Sequence, residues 1–222
     1  MPPASWTVDV GDATTSAIYE EATAPRRGLY ICAHGAGGQM HDRGMNAVAS
    51  TMRGVGLDVV RFNFLYKEKK SGRPDPMPRL EQCFAAVVDH ARAQLRSRAS
   101  PLLIGGRSMG GRAASMMAAD GFACDGVLLL AYPLHPAGQP SKLRDAHLPA
   151  IRVPVLCLNG TRDPLCDRTL MENVLPRLRS NFTMHWLDGA DHSFHVLKSS
   201  GRTDAEVMDE VRTAADGWLA NL

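Results

Sequence analysis

Short apolar runs and longer amphipathic segments alternate along most of this 222-residue chain. The runs are predicted to be β-strands, and they cover residues 28–33, 58–64, 101–106, 126–133, 154–160 and 182–188. Arg61 and Asn63 interrupt the second run, whereas most of the runs are almost wholly apolar, as strands covered on both faces should be. Because parallel strands need a helical crossover between them, the alternation predicts a mostly parallel sheet with helices on both faces.

The remaining segments fit the same α/β architecture. Residues 6–10 and 16–20 are predicted to pair as an N-terminal antiparallel hairpin. Amphipathic spacing predicts helices over residues 39–53, 80–96, 110–119, 167–178 and 204–222. Residues 132–154 form a proline-rich irregular segment that suits a small rim over a cleft and is too short for a large lid domain. We therefore predict a single α/β domain over residues 1–222, with a sheet of about seven or eight strands.

Charge and cysteine content exclude several classes of protein. The formal net charge is +2, and the basic residues are scattered among acidic ones, so we expect no nucleic-acid partner. No apolar run is long enough to cross a bilayer, so we expect no membrane partner. The five cysteines are odd in number and widely spaced, which favours free thiols in a reducing compartment and hence a cytoplasmic location.

The stretch "LLIGGRSMGGRAASMMAA", residues 102–119, passes from a predicted strand into a predicted helix through a serine flanked by glycines. Ser108 has Gly106 two positions before it and Gly110 two positions after it, a spacing that lets a tight turn close around a strained serine. The turn would place the Met109 N–H at a helix N-terminus, where developing negative charge is favoured. A glycine-rich loop with an incidental serine is the alternative, but the flanking strand and helix favour a nucleophile.

A serine nucleophile needs a histidine base and a carboxylate that orients the base. Asp163 follows the fifth apolar run and His192 follows the sixth, so both are expected at the carboxyl edge of the sheet together with Ser108. By itself, Asp163 would be interpreted as a turn or helix-capping residue. The chain order serine, acid, histidine makes Asp163 the preferred acid and His192 the preferred base.

Other acids and histidines compete for these two roles. The competing side chains are Asp167, Asp188, Asp191, His185 and His195. Asp191 is too close in sequence to His192 to reach easily around its ring, and His195 is expected to pack or to support the site. A metal site at Asp191, His192 and His195 is the alternative, but the residues lack the spacing of a known ligand motif. We therefore predict no metal and no other cofactor.

The loop "AHGAGG", residues 33–38, follows the first apolar run and is predicted to complete an oxyanion hole. Its glycines allow the backbone to approach a substrate carbonyl closely. The N–H of Ala36, or alternatively that of Gly35, is expected to act together with the N–H of Met109. The same glycines lack the lysine and serine of a phosphate-binding loop.

Substrate-binding residues are expected beside these loops. The candidates are His34, Gly35, Arg107 and Asn63. Arg107 occupies the variable position of the serine turn, and Asn63 together with Arg61 either rims the pocket or forms a structural hydrogen-bond network. The basic loop at residues 66–79 is interpreted as a solvated loop, with attraction of an anionic substrate as the alternative.

The motifs "HGAGG", "GGRSMGGRAA", "NGTRDPL" and "GADHSFH" together resemble the α/β-hydrolase superfamily, and within it the small dienelactone-hydrolase-like branch. The stretches "RFNF", "YPLHP" and "HLPAIRVPVLCLNGTRD" resemble the domain shared by testis-expressed small hydrolase-like proteins and one subunit of the nonspecific-lethal chromatin complex. The resemblance runs from about Tyr30 to the C-terminal helix. It implies an α/β-hydrolase fold without a large lid domain.

The resemblance also implies roles for individual residues. It gives Ser108 as nucleophile, Asp163 as acid and His192 as base, with Ala36 and Met109 as oxyanion-hole donors. A dienelactone hydrolase proper has a cysteine nucleophile, so the serine here departs from that activity. The predicted function is therefore hydrolysis of a small-molecule ester or thioester through an acyl-enzyme. The alternative is an interaction module that keeps the fold without turnover.

Overall fold

An eight-stranded sheet forms the centre of the molecule in a computed structural model that describes residues 3–96 and 101–222. The strands are β1 (Ala4–Val10), β2 (Ala13–Glu20), β3 (Gly28–Ala33), β4 (Leu57–Phe62), β5 (Leu102–Arg107), β6 (Gly126–Leu130), β7 (Val155–Gly160) and β8 (Phe182–Leu187). Their order is β1-β2-β4-β3-β5-β6-β7-β8. The hairpin β1–β2 pairs antiparallel with β4, and every later pairing is parallel, which confirms the predicted mostly parallel sheet.

Six α-helices connect or follow the strands in the described chain. They are α1 (Arg43–Gly54), α2 (Leu65–Glu68), α3 (Met77–Leu95), α4 (Met109–Ala119), α5 (Arg168–Val174) and α6 (Asp204–Leu219). Short 3₁₀ turns cover Leu148–Ala150, Leu175–Arg177 and Lys198–Ser200. No helix in residues 3–96 and 101–222 is both long and apolar enough to cross a membrane.

Alternation along the inner strands divides the buried side chains between the two faces of the sheet. Leu29 and Ile31 of β3 join the core that includes residues of α3, α4 and α5. Tyr30 and Cys32 point to the opposite face and join the core that includes residues of α1 and α6. Because both faces carry helices, the inner strands are buried throughout, as their apolar runs predict. Strand β8 lies at the sheet edge and is buried fully only at Leu187.

Several predicted boundaries are wrong, each for a local reason. The first helix begins at Arg43 instead of residue 39, because residues 39–42 form a turn in which the Asp42 carboxylate accepts the Gln39 N–H at 2.8 Å. Strand β6 ends at Leu130 because Ala131 has a φ of 52°. The α-helical part of the segment 167–178 ends at Val174, before the proline-containing 3₁₀ turn. Helix α2 was not predicted.

The predicted free thiols are present, since all five cysteines are unpaired. Burial raises the pKa of both the Cys32 and the Cys83 thiol to about 12, so these groups stay protonated at neutral pH. Residues 131–154 lie against the core through buried side chains such as Tyr132, Leu134 and Leu148 and form no lid domain. The loops that follow β3, β5, β7 and β8 all leave the same edge of the sheet.

Candidate active site

The turn between β5 and α4 holds Ser108 in a strained backbone conformation. Its φ is 51° and its ψ is −115°, a region that residues with side chains rarely adopt. A Cβ atom on Gly106 would lie 2.2 Å from the Ala33 carbonyl oxygen, and one on Gly110 would lie 2.6 Å from the same oxygen. Both glycines are therefore required by close approach to β3. The Ser108 N–H donates to the Leu130 carbonyl at 2.9 Å and ties the turn to β6.

Ser108, His192 and Asp163 are connected by two hydrogen bonds. The Ser108 Oγ lies 2.9 Å from His192 Nε2, and His192 Nδ1 lies 2.7 Å from Asp163 Oδ2. With a proton on Nδ1, the ring donates to the carboxylate and its Nε2 accepts from the hydroxyl. The Asp163 carboxyl is fully buried, while the His192 ring is 24% exposed and so is open to the cavity. The structure thus brings together the three residues predicted from motif order.

Asn159 of β7 supports the buried carboxylate and was missed at the sequence level. Its Nδ2 donates to Asp163 Oδ2 at 3.2 Å, and the Leu165 N–H donates to Asp163 Oδ1 at 2.8 Å. The Asn159 amide also bonds both backbone groups of Tyr132, at 2.9 and 3.0 Å. The signal was a lone polar residue in an apolar strand four positions before Asp163.

The competing acids have other partners. Asp167 caps α5 by accepting the Leu170 N–H at 2.9 Å. Asp188 accepts from the Thr161 hydroxyl at 3.3 Å. Asp191 accepts two N–H groups from residues 193 and 195, which shapes the loop around His192. In the described chain, Asp163 is the carboxylate that contacts the His192 ring.

The competing histidines are also paired elsewhere. His195 contacts the Asp204 carboxylate at 2.9 Å, at the start of α6, and His185 contacts Glu210 at 2.9 Å. Over residues 3–96 and 101–222, no group of three histidine, cysteine or acidic side chains is arranged to hold a metal.

The glycine loop after β3 lies directly against Ser108. A Cβ atom on Gly35 would be 3.3 Å from the Ser108 Cβ, and the Gly38 N–H donates to the Gly35 carbonyl at 3.1 Å. The N–H groups of Ala36 and Gly35 have no hydrogen-bond acceptor in the described part of the chain. Met109 opens α4, so its N–H has no acceptor inside the helix. The predicted choice between Ala36 and Gly35 thus stays open.

His34 ties this loop to the neighbouring segment and does not offer a free ring nitrogen to substrate. Its Nδ1 lies 2.8 Å from the Gly35 carbonyl, and its Nε2 accepts the Phe64 N–H at 3.1 Å. The side chain is completely buried, and this burial lowers the pKa of His34 so that the ring stays neutral. His34 also lines a cavity beside Ser108, so its predicted contact with substrate stays a prediction.

Arg107 lies at the site, and its guanidinium is hydrogen-bonded to the loop that carries His192. Its Nη2 donates to the His192 carbonyl at 2.6 Å, and its guanidinium lies 5.7 Å from the centre of the Phe194 ring. Burial lowers the pKa of Arg107, an effect opposed by the negative charge of Asp191. The predicted substrate residue therefore holds the base in place while also lining a cavity.

Asn63, also predicted to bind substrate, belongs to a structural network. Its Nδ2 donates to Glu68 of α2 at 3.1 Å, and its Oδ1 accepts the Met40 N–H at 2.9 Å. Asn63 lines neither cavity beside Ser108. Arg61 is likewise paired, with Glu20 at 2.6 Å. The expected substrate role of Asn63 is thus replaced by the structural alternative.

Two cavities meet at Ser108. The smaller has a volume of about 220 Å³ and is lined by Arg107, His192 and the glycine loop. The larger has a volume of about 460 Å³ and extends over α4 toward α3 and residues 133–144. Ser108 and Ala36 line both. A molecule bound at the hydroxyl has room for one substituent in each cavity.

Comparison with known proteins gives one family and several similar structures. The profile of the family described as an alpha/beta hydrolase domain matches residues 26–220. An alpha-beta serine hydrolase homologue from Coxiella burnetii is 18% identical with a TM-score of 0.76, over 99% of this chain and 97% of its own. A serine hydrolase without a lid from Xanthomonas campestris is 23% identical with a TM-score of 0.76, over 97% and 94%. A dienelactone hydrolase from Anabaena variabilis is 20% identical with a TM-score of 0.75, over 100% and 99%.

Proposed function

The chain belongs to the alpha/beta hydrolase domain family, and we propose that it is a serine hydrolase that cleaves a carboxylic ester or thioester. The observation that carries the proposal is the chain of hydrogen bonds from the Ser108 hydroxyl through His192 to Asp163, at 2.9 and 2.7 Å. These distances are within reach for proton transfer between a nucleophile and its base. The partner implied is a small acyl compound, and the chemistry needs no cofactor.

The reaction begins with attack by Ser108 on the substrate carbonyl carbon. As the Oγ–carbon bond forms, the hydroxyl proton passes to His192 Nε2, and Asp163 stabilises the resulting imidazolium. The proton then moves from Nε2 to the leaving oxygen or sulfur, whose bond to carbon breaks. Water attacks the acyl-enzyme by the same route, so that His192 takes a proton from water and returns it to Ser108.

Two backbone N–H groups stabilise the negative charge on the carbonyl oxygen. We assign them to Met109 at the N-terminus of α4 and to Ala36 of the glycine loop. Both N–H groups are without acceptors among the described residues, and Ala36, unlike Gly35, lines both cavities at Ser108. Loss of one such donor typically costs about 3 kcal/mol of transition-state stabilisation.

The similar structures support the class of reaction and leave the substrate open. They are a serine hydrolase homologue, a serine hydrolase and a dienelactone hydrolase. A dienelactone hydrolase proper has a cysteine nucleophile, so Ser108 does not support that particular activity. The finer resemblance to the testis-expressed and nonspecific-lethal group, and the cytoplasmic location, stay predictions.

A fluorophosphonate probe tests the proposal, because it reacts with an activated serine and not with an ordinary hydroxyl. We expect labelling at Ser108 alone, and Ser108→Ala should lower ester turnover by a factor on the order of 10⁶. Ser180→Ala removes an exposed hydroxyl and serves as the matched control. An unlabelled wild-type chain that hydrolyses none of a panel of 4-nitrophenyl esters would favour the interaction module instead.

A further inference from the structure

The larger cavity beside Ser108 has an excess of positive charge. Its charged lining consists of Arg112, Arg144 and Asp75, and it also contains Met109. Asp75 accepts the Tyr66 N–H at 3.0 Å and so is engaged with its own loop. Two guanidinium groups therefore face a single carboxylate in a space that opens directly onto the hydroxyl.

Arg112 lies on α4, one turn after Ser108, and its side chain is partly buried. Its Nε is buried and has no hydrogen-bond partner, and in the described chain its side chain forms no ion pair. Glu81 is close enough to both Asp120 and Arg112 to interact with them electrostatically. Glu81 and Asp120, however, line a separate surface depression. Because the Arg112 side chain forms no ion pair among the described residues, its positive charge is available to an anion in the cavity.

Arg144 approaches the same cavity from the irregular segment. Both the N–H and the carbonyl of Arg144 form hydrogen bonds. The N–H donates to the Leu134 carbonyl at 2.7 Å, and the carbonyl accepts the Tyr132 hydroxyl at 2.6 Å. Its guanidinium has no ion-pair partner in residues 3–96 and 101–222. Burial, and then the charge of Arg112, lower the pKa of Arg144, so the two cations are close enough to repel.

We propose that the substrate of Ser108 carries a carboxylate, which Arg112 and Arg144 bind together in the larger cavity. The inference rests on the proposed hydrolase function and names its substrate class. Guanidinium groups bind carboxylates with two parallel hydrogen bonds, and an anion between the two arginines relieves their repulsion. The Arg112 N–H donates to the Ser108 carbonyl at 3.0 Å and both residues line the cavity, so a carboxylate held by Arg112 lies in the same space as the reacting carbonyl. The apolar side chains of Met77 and Leu165 line the same cavity.

Matched esters test the inference. One pair places the charge on the acyl side and compares 4-nitrophenyl hydrogen glutarate with neutral 4-nitrophenyl valerate. A second pair places it on the leaving group and compares 4-carboxyphenyl valerate with its methyl ester. We expect wild type to prefer the anionic member of one pair in kcat/KM, and that pair tells which side of the ester occupies the larger cavity.

Substitutions then show whether the two arginines cause the preference. In Arg112→Gln and in Arg144→Gln the anionic-to-neutral ratio of kcat/KM should fall by about 10- to 100-fold, the usual effect of losing a charge-assisted hydrogen bond. Arg152→Gln removes an exposed charge outside the cavity and should leave the ratio within twofold of wild type. Glutarate should also slow fluorophosphonate labelling of wild type more than that of Arg112→Gln.

The possible outcomes separate this inference from the proposed function. A chain that reacts with fluorophosphonate but shows no anionic preference in either pair, and no protection by glutarate, overturns the inference alone. Equal losses on anionic and neutral esters in the arginine variants also overturn it, because they indicate a structural role. A wild-type chain that does not react with the probe overturns the proposed function and this inference together.

Discussion

Asn159→Leu should destabilise the fold and impair the site at once, because one buried amide serves both. The substitution keeps the side-chain volume roughly constant but removes hydrogen bonds to Asp163 and to both backbone groups of Tyr132, at 3.2, 2.9 and 3.0 Å. Asn159 is completely buried, so water cannot replace them. The Tyr132 carbonyl keeps the Leu134 N–H, and Asp163 keeps its bonds to Leu165 and His192. The substitution therefore leaves the Tyr132 N–H unpaired at about 1–3 kcal/mol and removes one neutral and one charge-assisted hydrogen bond worth about 1 and about 2 kcal/mol, a total of about 4–6 kcal/mol in the free energy of unfolding.

Urea unfolding followed by circular dichroism measures that loss. Asn173→Leu, at an exposed position of α5, is the matched control and should change stability by less than about 0.5 kcal/mol. Per folded molecule, Asn159→Leu should also lower kcat/KM about tenfold, because the Asp163 carboxylate loses one of the donors that fix it. A loss below about 1 kcal/mol, or unchanged activity of the folded fraction, would refute the reasoning.

Three further substitutions test other parts of the account. Arg107→Met removes the 2.6 Å hydrogen bond to the His192 carbonyl. With a neutral ester as substrate, kcat should fall about 10-fold or more with little change in KM. An unchanged kcat would contradict the positioning role of Arg107. Gly106→Ala places a Cβ 2.2 Å from the Ala33 oxygen and should cost more than about 3 kcal/mol in urea unfolding, whereas a near-neutral result would mean that the turn can rearrange. Burial lowers the pKa of His147 to about 4, below its ordinary value of 6.5. Between these two pH values the ring is protonated in the unfolded chain and neutral in the folded chain, so the free energy of unfolding decreases as pH falls below about 6.5. His147→Gln should therefore lose less stability than wild type between pH 7 and pH 5, and equal losses would contradict the assignment.

The sheet could be predicted from the sequence because its strands are buried on both faces. A fully covered strand must be apolar over its whole length, so the runs at β3, β5 and β7 mark their elements to within a residue or two. The serine turn was predictable for a similar reason. Its close approach to Ala33 leaves no space for a side chain at Gly106 or Gly110, and this requirement is visible in the sequence.

The errors arise where a side chain has a partner distant in the sequence. Asn63 has the polarity expected of a pocket residue, but its Oδ1 accepts the N–H of Met40, 23 residues away. Its Nδ2 donates to Glu68 on the short helix α2, a segment that the charge pattern predicts to be a solvated loop. His34 lines the smaller cavity as the prediction requires, but its Nε2 accepts the N–H of Phe64, 30 residues away, and this bond was not predicted. Sequence spacing gives no information on such pairings until the loops are placed in space.

The cationic cavity illustrates the same limit. Arg112 lies on the helix after the serine, and Arg144 lies in the irregular segment that follows β6. Nothing in their spacing indicates that they line one cavity, because the segment is positioned by tertiary contacts such as the Tyr132 hydroxyl bond to the Arg144 carbonyl. Their shared location is a property of the folded chain.

The central claim is that Ser108 forms a covalent acyl intermediate, and mass spectrometry of the rapidly quenched reaction tests it most directly. After mixing with 4-nitrophenyl acetate, we predict an acetyl group on the peptide that contains Ser108 and none in the Ser108→Ala variant. Acylation of a different residue, or undiminished ester turnover by Ser108→Ala, would contradict the account.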